Sequence, residues 1–287
     1  MELREWINRW GRSGVDIKEY SLHGEYKLLL PNMNHKVGLN LAVYSERFTN
    51  RLWIDLISLR TVLSGIESGH YNDNVSRTTN GMSFTTKQVT LDQGLIDYEV
   101  MKTFISVMRN TNDYLDRLVS IINFWQKPLH IPRKMSAVEA GKYVDSQLDL
   151  AMHEYNDKKR EDFAMKLKHF PELPSEDVRF LTNYNLLRNC YEHHKAISQR
   201  GLQIPINKLV LEANGKTINI PSVVEAGMKI AISRKTKTVA IKKGEAAKLS
   251  YGDFEFAVFY LTQLPIKIEP TVIEALRQTA AQISEVK

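Results

Sequence analysis

Residues 95–125 read LIDYEVMKTFISVMRNTNDYLDRLVSIINFW, and their spacing decides the fold class. Leu95, Ile96, Val100, Phe104, Met108, Leu115, Leu118 and Ile122 recur every three, four or seven residues, as one face of a long α-helix requires. Pro128 and Pro132 mark the exit. Working backwards, Leu41, Phe48, Leu52, Leu56, Leu59, Leu63 and Ile66 repeat the pattern, with Gly65 and Gly69 as the stop. Between these helices, residues 70–94 are polar. Asn80-Gly81 is their turn signal, which fits a hairpin or a loop. Ahead of them, Tyr26–Leu30 is a short apolar run that reads as a strand or an ordered lead-in.

Working forwards, Ser136 and Glu139 form a capping-box pattern that opens a third helix running to Phe170. Its charged run DKKRED (157–162) reads as a solvated face. A fourth helix opens at Ser175, with Ser-Glu-Asp as cap and first-turn acids, and continues to about Ser198 before Gly201. Beyond Gly201 the texture changes. Strand-like runs flank Asn214-Gly215, a strong hairpin signal. AISRKTKTVAIKKG then alternates small apolar with basic residues, as a strand with one wet face does. Two helices, Phe254–Leu264 and Val272–Ile283, close the chain. The expectation is a mainly α fold: a lead-in over 1–35, a long-helix bundle over 36–200, and a small α+β appendage with a β-hairpin and terminal helices over 201–287.

Composition narrows the chemistry. The chain has 287 residues and a single cysteine, Cys190, which excludes an intrachain disulfide framework and a multi-Cys zinc site. No stretch approaches the ~18 apolar residues of a membrane span. The N-terminal residues also lack a signal-peptide core, so a cytoplasmic protein without membrane contact is expected. Net charge is +6. Between Met228 and Lys248, seven basic residues stand against Glu245 alone, a surplus equal to that of the whole chain. Lys229, Arg234, Lys235, Lys237, Lys242 and Lys243 of this segment are candidate RNA-backbone contacts. The segment has no interleaved aromatics for base stacking.

Several site types are excluded by pattern. No Gly-rich loop ends in Gly-Lys-Ser/Thr, no Gly-x-Gly-x-x-Gly or Gly-x-Ser-x-Gly occurs, and His153-Glu154 lacks the second histidine of a zinc-protease helix. One constellation survives, on the fourth helix: Arg188-Asn189-Cys190-Tyr191-Glu192-His193-His194. At ~100° per residue, Arg188, Asn189, Glu192 and His193 share the polar side, whereas His194 falls within the apolar arc with Cys190 and Tyr191. His194 is therefore expected in the core. Imidazole transfers protons near neutral pH, guanidinium forks onto phosphate, and a neutral amide positions either one. Arg188 and His193 stand roughly 140° apart on the wheel. Two copies of the helix crossing at a two-fold axis would bring both pairs to one cleft. The plainer role for Arg188 is an i, i+4 pair with Glu192, contributing roughly 0.3–0.5 kcal/mol. Arg109-Asn110, on the second helix, repeats the first two residues without a following histidine and reads as surface.

Arg, a small polar residue, then His after four to six intervening positions is the signature of the HEPN superfamily (higher eukaryotes and prokaryotes nucleotide-binding domains), and Arg188-Asn189-x-x-x-His193 resembles it. The position on a late helix of a long-helix bundle, followed by a β-containing tail, is similar to uncharacterised bacterial members. The resemblance implies a metal-independent endoribonuclease without cofactors, active as a homodimer on RNA. The 2′-hydroxyl would attack the adjacent phosphate. His193 would be the acid/base group, Arg188 the phosphate anchor and Asn189 the positioning group. A toxin or antiviral defence role, with a defence-complex or antitoxin partner, is also implied. Lys195 stands where the toxins that pair with nucleotidyltransferase antitoxins carry Tyr. A non-catalytic dimerisation, RNA-binding or scaffold module is the alternative that the same resemblance allows.

Overall fold

The computed structural model describes residues 26–28, 37–39, 41–68, 88–125, 136–213, 216–218 and 230–285. The fold is mainly α with small antiparallel sheets. Strands β1 (Tyr26–Leu28) and β2 (Val37–Leu39) pair antiparallel, Tyr26 opposite Leu39. Helices α1 (Ala42–Glu67) and α2 (Gln88–Trp125) then pack side by side. Asn80-Gly81, Gly69, Pro128 and Pro132 lie outside the described residues.

The long helix α2 is the centre of the molecule. Val100, Phe104, Val107, Met108, Leu115, Leu118, Val119 and Ile122 are all buried, more than one stripe, because neighbours cover it on several sides. Those neighbours include α1 and four helices that follow: α3 (Ala137–Glu154), α5 (Ser175–His193), α6 (Tyr251–Thr262) and α7 (Leu264–Glu285). Phe104 meets Tyr184 and Tyr191 of α5 and Phe254 of α6 edge-on, with ring centroids 6.1, 5.8 and 6.4 Å away. The segment beyond Gly201 joins this same core through Ile204, Ile206, Phe254, Leu261 and Ile268.

The third expected helix is interrupted. Its capping box forms as read, Ser136 accepting from the Glu139 amide and Glu139 accepting from the Ser136 amide. However, α3 gives way to a π-helical turn, Tyr155–Lys159, and Arg160 leaves helical geometry. Asp162 then caps a short new helix, α4 (Phe163–Leu167). The DKKRED run thus breaks the helix; Asp157, Arg160 and Asp162 are exposed, as a solvated face requires, and Arg160 and Glu161 also make specific contacts. Arg160 reaches Asp116 at 3.2 Å, and Glu161 meets His169 at 3.0 Å.

After α5, β3 (Leu202–Ala213) pairs antiparallel with β5 (Ile230–Ile241) along its whole length, from Leu202 opposite Ile241 to Ala213 opposite Ile230. The short β4 (Lys216–Ile218) pairs with the far end of β3, giving the order β4-β3-β5. The strands on either side of Asn214-Gly215 pair as the hairpin signal predicts, although those two residues are not described. The final helices start earlier than the apolar runs suggest. Ser250 caps α6, and α7 continues straight through Pro270.

Two buried polar clusters tie the helices together. Lys166, almost completely buried, forms an ion pair with Asp116 and donates to Asn112 Oδ1 at 2.7 Å. Burial pulls the Lys166 ammonium below the usual lysine range, and the ion pair opposes that shift. In the second cluster Ser45 of α1 hydrogen-bonds Glu269 of α7 and lies 3.1 Å from the Tyr114 hydroxyl of α2. Burial raises the Glu269 carboxyl above the ordinary value of 4.5.

Removing one member of a buried ion pair leaves an uncompensated charge. Lys166→Ala is expected to lower unfolding free energy by about 3–5 kcal/mol in urea titration. The paired change Lys166→Met with Asp116→Leu should recover most of that loss. Glu269 gives a pH signature. Its folded pKa lies above its unfolded one, so the folded state holds the proton more tightly. The associated stability is complete below about pH 4.5 and is lost as pH rises through the raised value. Melting curves of Glu269→Gln should therefore vary less with pH than wild type across that window.

Candidate functional site

The site is the C-terminal half of α5, which is held from both ends. At its start, the nearly buried Asp177 accepts from Tyr260 Oη and Lys267 Nζ, each at 2.5 Å. Those bonds tie it to α6 and α7. Further along, Tyr184 donates to the Pro205 carbonyl of β3 at 3.2 Å. Phe180, Leu181, Leu187, Cys190 and Tyr191 are buried. Burial also raises the Cys190 thiol above its ordinary range, which disfavours the thiolate and marks a packing residue.

The opposite face carries the charged residues. Arg188 Nη2 lies 2.5 Å from Glu192 Oε2, and its Nη1 donates to Asn189 Oδ1 at 3.1 Å. The other carboxylate oxygen, Oε1, accepts from Arg109 Nε at 3.0 Å and lies 2.9 Å from Arg109 Nη2. His193 Nε2 stands 3.7 Å from Glu192 Oε2. Glu192 is thus a carboxylate with only 9% of its side chain exposed, between two guanidinium groups and beside an imidazole that is 63% exposed. The Nε of Arg188 is buried with no hydrogen-bond partner among the described residues. The 140° that separates Arg188 from His193 on the wheel is bridged here, because both face the same carboxylate oxygen.

Three features differ from the sequence reading. Arg109 is exposed, as read, but it is also the second arginine on Glu192, supplied by α2. Its neighbour Asn110 points to another partner and donates to Asp55 Oδ2 of α1 at 2.9 Å. His194 is not a core residue. The helix stops at His193, and His194 is exposed. Lys195 and Ala196 adopt φ of 49° and 59°, a left-handed turn well before Gly201. The turn lets the Ala247 amide donate to Ala196 O at 2.7 Å and the Ser198 amide donate to Glu245 O at 3.0 Å. The helix end is closed locally, the His194 and Ala196 amides both donating to Cys190 O, and pairing with residues 244–247 holds the turn in place.

The basic segment is partly committed to internal pairs. Lys237 meets Asp253 of α6 at 2.8 Å, and Lys242 lies 3.9 Å from Glu245. Lys248 reaches Asp97 of α2 at 2.7 Å. Lys243 is exposed. Lys229 lies outside the described residues, as do the side chains of Arg234 and Lys235. Among the described residues, no group of three His, Cys, Asp or Glu side chains is placed to hold a metal ion. No helix there is long and apolar enough to cross a membrane. No family model, curated protein or solved structure matches the chain.

Because His194 is exposed and outside the helix, His194→Ala is expected to change unfolding free energy by no more than about 0.5 kcal/mol, the range of ordinary surface substitutions. Denaturant titration checks this. A loss of several times that size would restore the core assignment.

Proposed function

We propose that the protein is a metal-independent endoribonuclease that acts in the cytoplasm on cellular or phage RNA as a homodimer, in keeping with the resemblance of Arg188-Asn189-x-x-x-His193 to the HEPN signature. The observation that carries the reading is the convergence of Arg109 and Arg188 on one carboxylate beside the exposed His193. Two guanidinium forks at that spacing suit a phosphodiester in the place Glu192 occupies. His193 takes the proton of the ribose 2′-hydroxyl while its oxygen attacks the adjacent phosphorus. The bond from phosphorus to the 5′-oxygen breaks, leaving a 2′,3′-cyclic phosphate. The 5′-oxygen leaves with a proton from imidazolium, supplied by the same histidine of a second copy across the two-fold axis. Arg188 and Arg109 stabilise the charge that gathers on the non-bridging oxygens, and Asn189 holds Arg188 in place. Lys242 and Lys243 extend the contact along the RNA backbone.

One observation favours a second reading. The Arg188 guanidinium is already spent on Glu192 at 2.5 Å, the arrangement of a structural clamp in a non-catalytic, RNA-binding or scaffold module.

Cleavage of a fluorogenic RNA in EDTA separates the two readings. His193→Ala and Arg188→Ala should each lower the rate by about 100-fold or more while circular dichroism and the dimer mass are unchanged. Cleavage by His193→Ala at the wild-type rate overturns the enzyme reading. No cleavage by wild type, together with salt-sensitive binding that Lys242→Glu and Lys243→Glu abolish, establishes the module.

A further inference from the structure

A cavity lies between α1 and α2. Tyr44, Arg47, Phe48 and Arg51 follow one another at i, i+3, i+4 and i+7 on α1. Asn110, Asp113, Tyr114 and Arg117 do the same on α2. The two stripes face each other across a cavity of about 310 Å³. Met152 of α3 and Asn156 of the π-helical turn close its far side. That volume falls within the range of small-molecule sites. π-helical turns inside α-helices also concentrate at functional positions.

The lining has a defined floor and a defined charge. Phe48 and Tyr114 are both buried and stack face to face, with centroids 4.4 Å apart and planes 6° from parallel. The Arg117 guanidinium lies 4.9 Å over the Tyr44 ring, which orients its plane. Three guanidiniums, those of Arg47, Arg51 and Arg117, therefore line one small cavity. The two carboxylates in the lining are engaged elsewhere. Asp116 pairs with Lys166 and Arg160, and Asp113 lies 3.8 Å from Arg160. The next acids out, Asp55 near Arg51 and Asp145 and Asp149 near Tyr44, do not line it. No ion pair joins Arg47, Arg51 or Arg117 to an acid among the described residues.

Three guanidiniums without a carboxylate ion pair among the described residues, two side-chain amides and an aromatic floor suit a compact polyanion. We propose that this cavity binds a small phosphate-bearing ligand, a pyrophosphate or a phosphomonoester. Arg47, Arg51 and Arg117 would fork onto its oxygens, with Asn110 and Asn156 as further donors. The site is independent of the ribonuclease reading, because it shares no side chain with Arg188, Asn189, Glu192 or His193. Both sites rest on α2, where Arg109 serves one and Asn110 the other.

Calorimetry and thermal melting of the full chain test the proposal. The probes are inorganic pyrophosphate, ribose 5-phosphate, adenosine monophosphate and, lacking phosphate, adenosine. Sodium chloride at matched ionic strength is the reference. A phosphate-bearing probe should bind and raise Tm above that reference. Arg47→Gln and Arg51→Gln should each weaken its binding by about tenfold, the loss of one charge-assisted pair. Lys102→Gln, on the exposed surface of α2, should leave the binding unchanged. Arg47 and Arg51 are exposed, so their variants should melt with wild type when no ligand is present. The proposal is overturned if no phosphate-bearing probe binds beyond the chloride reference. It is equally overturned if binding survives both glutamine variants or if adenosine binds as tightly as its monophosphate. None of these outcomes bears on RNA cleavage.

Discussion

The packing of aromatic rings around Phe104 is the constraint on which the remainder of the structure depends. Phe104 is completely buried, and its three edge-on partners come from α5 and α6. Such contacts contribute roughly 0.5–1.5 kcal/mol each beyond simple area burial, and their geometry is directional. The Tyr191 contact sets the rotation of α5 against α2. Arg109 lies five residues after Phe104 on α2, and Glu192 directly follows Tyr191 on α5. Once the rings meet, Arg109 and Glu192 face each other at the edge of the same interface. The polar constellation is a by-product of an apolar contact one turn away. It needs no specification of its own beyond the residue types.

The same helix handles charge in two ways. Near its C-terminal end Asp116 is fully desolvated, and the structure answers with Lys166, Arg160 and Asn112. The Lys166 ion pair offsets the cost of burying that carboxylate. Toward α5, Glu192 is nearly as buried, but the two arginines that satisfy it are partly open to solvent, Arg109 more so than Arg188. The first arrangement holds α2 to α4 through the buried Lys166, with the half-exposed Arg160 at its edge. The second borders solvent and an exposed imidazole. The difference lies in the partners: a buried lysine holds Asp116, whereas two solvent-reachable arginines hold Glu192.

What could be read from the sequence follows from the range of the forces involved. Apolar periodicity located α1, α2 and the terminal helices because burial on one face acts residue by residue. The Ser136–Glu139 box was legible because all of its atoms lie within one turn. The end of α5 was not, since Lys195 and Ala196 turn left-handed to meet backbone groups of residues 244–247, some fifty positions away. A helical wheel presumes that the helix continues, so it placed His194 in a core that the chain had already left. Arg188, Asn189 and His193 were visible as a pattern on one helix. Arg109 was invisible for the opposite reason: its role exists only across the interface of α2 with α5, which no local spacing encodes.

On the proposed reading, Glu192 and the RNA phosphate compete for the same two guanidiniums. A phosphodiester carries a single negative charge, as the carboxylate does, so the exchange preserves the charge at the arginines. The carboxylate, now 9% exposed, moves towards water, where its solvation is better. Against that stands the tether: Glu192 is held on the helix at high effective concentration, whereas RNA arrives from solution at an entropic cost. Backbone contacts by Lys242 and Lys243 would offset part of that cost, a role for the basic turn after β5 that the two arginines cannot fill. The guanidiniums would then be kept paired and oriented between encounters, with Arg188 positioned by Asn189, so that the phosphate meets a preformed fork rather than two free side chains.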